Sequence, residues 1–80
     1  MYMPKEMFEK LGYEYDYIQN DNSEYTITYH KDNLHIQFNL DSKQVVVQND
    51  SSYQFYGYAV FFISKELLEA INKQIEELGW

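Results

Sequence analysis

The residues best equipped for chemistry are two histidines and a string of carboxylates. His30 and His35 occupy polar positions in segments that alternate with period two, and Glu14 and Asp16 occupy polar positions in another such segment. Imidazoles and carboxylates together make zinc sites and general acid–base pairs, so a metal-dependent activity at His30 and His35 is one reading. The expected strand pairing opposes it. Matching Tyr17 with Tyr25 and Tyr29 with Leu34 sets Glu14 and His35 on either side of Thr28, about 9 to 10 Å apart at two strand spacings. The histidines are therefore expected as solvated sheet side chains, with no metal and no cofactor.

Glu14, Asp16, Asp21 and Glu24 form an acidic run without an intervening lysine, and Asp32, Asp41 and Asp50 add carboxylates at turns. A calcium loop also needs closely spaced acids, but Asp21-Asn22-Ser23-Glu24 lacks the loop glycine and the distal bidentate glutamate. Carboxylates on a small rigid scaffold can instead imitate nucleic-acid phosphates and occupy the basic groove of a DNA- or RNA-binding protein. The plainer alternative is a set of solvated turn acids. A second candidate surface is Tyr53, Phe55, Tyr56 and Tyr58 around Gly57, aromatic loop material typical of binding hot spots, unless it serves to close the core.

Charge decides which partners are electrostatically accessible. Thirteen acidic residues face six lysines, arginine is absent, and the formal net charge is −7. Such a chain repels phosphate backbones and anionic membranes, and it lacks the guanidinium fork that reads phosphate and guanine edges. Direct nucleic-acid or membrane binding is disfavoured, and a basic protein partner is favoured. The absence of cysteine removes disulfides and thiolate metal clusters and suits a reducing cytoplasm. Neither a signal-peptide pattern nor an apolar run of membrane-spanning length is read, so a cytoplasmic location is expected. No phosphate-binding glycine loop, nucleophile elbow or Cys/His spacing is found, and no enzymatic activity is expected.

The elements that position these residues follow from periodicity. Pro4 to Leu11, stopped by Gly12, reads as a short helix with Met7, Phe8 and Leu11 on one face. Alternation then predicts strands around Tyr13 to Tyr17, Tyr25 to His30, Leu34 to Leu40 and Gln44 to Gln48, separated by turn residues. The expected register also pairs Tyr15 with Ile27, Ile27 with Ile36, and Leu40 with Val45. One face is apolar throughout. The other collects Glu14, Asp16, Thr26, Thr28, His30, His35, Gln37, Asn39 and Val46, as expected where a sheet meets water. Ala59 to Ile63 is read as a short fifth strand or a lead-in to the last helix. Ser64 is a good N-cap, and Leu67, Leu68, Ile71, Ile75 and Leu78 recur at helical spacing before Gly79. The whole chain, 1–80, is read as one α+β domain. It is an antiparallel four- to five-stranded meander, with a short N-terminal helix and a longer C-terminal helix covering one face.

Met7-Phe8-Glu9-Lys10-Leu11-Gly12-Tyr13, Ile63-Ser64-Lys65-Glu66-Leu67-Leu68-Glu69-Ala70-Ile71 and the closing Glu76-Glu77-Leu78-Gly79-Trp80 resemble the ends of small accessory proteins encoded by phages and prophages of Gram-positive bacteria. The resemblance covers the two ends, whereas the strands match only in pattern. It implies an accessory protein that acts in the host cytoplasm on host components, in the manner of anti-CRISPR or anti-restriction inhibitors, and it carries over no catalytic residue. The expected function is non-enzymatic binding of a host or phage protein through Glu14, Asp16, Asp21 and Glu24 or through Tyr53, Phe55, Tyr56 and Tyr58. A self-associating homodimer is the alternative.

Overall fold

A computed structural model describes residues 3–19, 23–49 and 63–80. Helix α1, Pro4–Lys10, begins with proline in its first turn, where the missing N–H costs nothing. It ends at Gly12, φ +92°, with Gly12 N donating to Glu9 O and Tyr13 N to Phe8 O. That pair of hydrogen bonds is a Schellman ending, and the left-handed backbone it demands is why glycine stands there. Strand β1 (Glu14–Gln19) follows, then β2 (Tyr25–Lys31), β3 (Leu34–Asn39) and β4 (Gln44–Asn49). The four strands pair antiparallel in chain order, β1-β2-β3-β4. Helix α2, Lys65–Glu77, completes the α+β fold.

The expected faces are preserved, but every hairpin register differs from expectation by two residues. Tyr17 pairs with Ile27 and Tyr15 with Tyr29. Tyr29 pairs with Ile36 and Ile27 with Phe38. Phe38, rather than Leu40, pairs with Val45. The causes lie in the turns. Asp32, at φ +53°, lets Lys31 and Leu34 pair across a two-residue connection, whereas Leu40 to Lys43 make a longer loop with Lys43 at φ +56°. A shift of two keeps each side chain on its own face, so the division into apolar and polar sides survives.

The core lies between the helices and the apolar sheet face. Phe8 of α1 stacks on Tyr29 at 3.8 Å between ring centroids, and Phe38 meets both rings edge-on. Ile36, Leu67, Ala70 and Ile71 complete the buried cluster with Tyr13. In α2 the Ser64 Oγ accepts from Leu67 N, as its N-cap position requires. At the other end Trp80 N donates to Ile75 O and Gly79 N to Glu76 O, a second Schellman ending that brings the Trp80 ring to 6.4 Å from Phe38. One expected core residue of α2 is turned outward: Leu68 is exposed, and Gln74 takes a buried place instead.

The polar face is drier than its composition suggests. Thr26, Thr28 and Asn39 are buried rather than solvated. All three stand on the two central strands, β2 and β3. Ile63 lies outside any strand, and the rest of the proposed fifth strand, 59–62, falls outside the described residues.

Candidate functional site

Strand β1 is the part of the described fold that most clearly faces outward. All six of its residues are exposed. Its even positions put Glu14, Asp16 and Ile18 on the face away from the helices, and its odd positions put Tyr15, Tyr17 and Gln19 on the helix side. The Glu14 and Asp16 side chains are 80% and 55% accessible, so these two of the expected acidic residues are open to solvent.

His30 organises these two carboxylates. Its Nε2 lies 2.8 Å from Asp16 Oδ2 and 3.7 Å from Glu14 Oε2. The register explains the contact: Glu14 pairs with His30 and His30 with His35, so the three form a row across β1, β2 and β3. Thr28, which sequence matching placed between Glu14 and His35, is paired instead with Asp16 and Gln37. The two imidazoles stack, 6.0 Å between centroids. The histidines and acids are thus closer than expected, yet among the described residues no group of three or more His, Asp or Glu is arranged to hold a metal ion.

Glu24, of the same acidic run, is engaged elsewhere. It accepts hydrogen bonds from Asp41 N, Ser42 N and Ser42 Oγ at 2.8–3.1 Å, so its carboxylate fastens the β3–β4 loop. Asp21, and the aromatic group Tyr53, Phe55, Tyr56 and Tyr58, lie outside the described residues.

Sequence reasoning passed over the aromatic side of β1. Tyr17 is 54% and Tyr25 47% exposed, and their rings stack at 5.5 Å and 10°. Tyr15 packs against Tyr29 on one side and carries Lys5 Nζ 4.9 Å from its centroid on the other. The available signal was topological: the first strand of a meander that pairs in chain order stands at an end of that meander, and among the described residues β1 has a strand neighbour on one side only.

Beside Tyr15 a cleft of about 370 Å³ opens between α1, α2 and the first two strands, with Met3, Ile27, Tyr29 and Gln74 in its wall. At its base Tyr29 Oη donates to Gln74 Oε1 at 2.7 Å, and Gln74 is only 4% exposed. Burial, reinforced by Tyr15 and the carboxylates Glu77 and Glu9, raises the Tyr29 phenol far above its ordinary value of 10.0. Tyr13 is raised too, first by burial and then by Asp32. Both phenols are held in the protonated form, and Tyr29 uses its proton as the donor to Gln74.

No family model matches this chain, and neither a curated protein nor a solved structure resembles it closely enough to inform the site. Among the described residues, no helix is long and apolar enough to cross a membrane.

Proposed function

We propose that the chain is a non-enzymatic accessory protein, of phage or prophage origin, that works by binding a host or phage protein. The partner this reading favours is a basic nucleic-acid-binding protein, a host defence nuclease of the CRISPR or restriction type being the one the family resemblance suggests. The carrying observation is the edge strand β1, wholly exposed, with Glu14 and Asp16 on one face and Tyr15 and Tyr17 on the other. On a chain of net charge −7 such a surface attracts a cationic partner and discourages anionic ones.

Quantitative affinity capture from a Gram-positive host lysate tests the reading, with wild-type and Glu14→Lys/Asp16→Lys baits compared at low and high salt. One protein is expected to be retained by the wild type at low salt, weakened by high salt and lost from the doubly substituted bait. Equal retention by both baits would remove β1 from the interface. The exposed Tyr17–Tyr25 stack favours a second reading, a homodimer, and sedimentation over a concentration series tests it. A monomer at every concentration would exclude it.

A further inference from the structure

The hydrogen-bond pattern of the sheet identifies which backbone groups β1 offers to a partner. Leu40 N donates to Tyr25 O, so Tyr25 turns its backbone polar groups toward β3. Alternation along β2 then directs Tyr25, Ile27 and Tyr29 to β3 and Thr26, Thr28 and His30 to β1. Their partners Ile18, Asp16 and Glu14 face inward, and the Thr26 hydroxyl, 3.2 Å from Ile18 O, agrees with this. The outward N–H and C=O groups of β1 therefore belong to Tyr15, Tyr17 and Gln19. Among the described residues β1 pairs with β2 alone, and all six of its residues are exposed.

We propose that β1 receives the partner as an added antiparallel strand, and that the segment it accepts alternates basic and apolar residues. This rests on the protein-binding reading above and specifies its chemistry. Residues directly opposite one another in an antiparallel pair share a face. A partner residue opposite Tyr15 or Tyr17 therefore stands on the helix side, beside the Tyr15 wall of the cleft, where an apolar side chain covers exposed tyrosine. A partner residue opposite Glu14 or Asp16 stands on the acidic face, where lysine or arginine meets an open carboxylate. Main-chain bonds to Tyr15, Tyr17 and Gln19 supply affinity, and the two faces supply selectivity.

A second copy of this chain fits the edge less well. A β1 to β1 pairing about Asp16 sets the two aspartates against each other, and any homodimer unites two bodies of charge −7. An exposed edge that remains unpaired is an aggregation risk, and the carboxylates on β1 supply the repulsion that would keep like copies apart while admitting a cationic strand.

Amide hydrogen exchange by NMR tests the proposal, with short capped peptides of alternating lysine and valine, and of alternating glutamate and valine, as probes. In the free protein Asp16 and Ile18 amides should exchange slowly, and Tyr15, Tyr17 and Gln19 amides quickly. The lysine peptide should slow those three by about tenfold or more, and the glutamate peptide should not. Glu14→Lys/Asp16→Lys should reverse the preference, which a misfolded variant could not do. Tyr17→Ala keeps the outward N–H whereas Tyr17→Pro removes it from an edge position that tolerates proline, so only Tyr17→Pro should lose the backbone contribution to binding.

Absence of protection at any lysine-peptide concentration overturns strand addition, as does equal peptide affinity for Tyr17→Ala and Tyr17→Pro. Outward amides already protected in dilute free protein mean that the chain covers its own edge. Protection that grows with protein concentration alone assigns the edge to a second copy. Either overturns the proposal. If lysate capture still depends on Glu14 and Asp16 in these cases, the protein-binding reading stands and only its strand-addition form falls.

Discussion

Tyr29→Phe isolates one hydrogen bond at the centre of the fold. The substitution keeps the ring, and with it the stack on Phe8 and the edge contacts to Phe38, but deletes the hydroxyl that donates to Gln74 Oε1 at 2.7 Å. Gln74 is 4% exposed, so water has little access to replace the donor. The cost is the lost bond together with a stranded amide oxygen, about 1 to 3 kcal/mol. For a domain of this size each kcal/mol lowers the melting midpoint by roughly 4 to 8 °C, well within reach of thermal unfolding followed by circular dichroism. Gln74→Met strands the phenol instead and should cost a similar amount. The double variant Tyr29→Phe/Gln74→Met leaves no orphan and should lose distinctly less than the two single losses summed. An unchanged midpoint for Tyr29→Phe, or strictly additive losses in the double variant, would refute the claim that this buried pair ties α2 to the sheet.

Alkaline pH should expose the same residue by a different route. The unfolded chain releases the phenol proton near its ordinary value of 10.0 whereas the folded chain holds it higher, so stability is level below that pH and falls above it. The expected slope is about 1.4 kcal/mol per pH unit from Tyr29, which Tyr29→Phe removes and denaturant melts between neutral and alkaline pH would measure. Glu24→Ala should cost about 1 kcal/mol in a urea melt, because three donors of the β3–β4 loop lose one carboxylate and find water instead. Gly12→Ala should cost about 1 to 2 kcal/mol through its left-handed backbone, and more than Gly79→Ala, since an added Cβ would come within 3.3 Å of Lys31 Cε whereas nothing crowds Gly79.

The architecture was readable because alternation and helical spacing report local geometry. Both helix ends were visible in single residues: Gly12 and Gly79 stand at the left-handed positions that their Schellman endings require. Register was harder to read. Asp32 and Lys43 adopt positive φ without being glycine, so the lengths of the β2–β3 and β3–β4 connections were hidden, and both pairings moved by two residues, as did that of β1 with β2. The shift spared the faces but not the neighbourhoods, and for that reason the Glu14–His30–His35 row was missed. Of the site, Glu14 and Asp16 were recognisable as an exposed pair. Tyr15 and Tyr17 passed for ordinary half-buried strand residues because composition does not say which strand stands at the edge. Gln74 escaped notice because a polar residue on an apolar helix face acquires meaning only from a partner 45 positions away.

The chain-order pairing of the sheet also sets the order of events in folding. Each strand finds its neighbour across a short connection, so the hairpins close at little entropic cost, whereas α2 must return across a long stretch of chain before Gln74 can meet Tyr29. The meander should therefore be well formed in the transition state, with α2 docking afterwards. Substitutions at the Ile36–Val47 pair should slow folding, and substitutions at Leu67 or Ile71 should chiefly hasten unfolding. Detachment of α2 should then be the first large opening of the native state in hydrogen exchange, laying bare the Phe8–Tyr29–Phe38 aromatic cluster while the β1–β2 pairing stays protected.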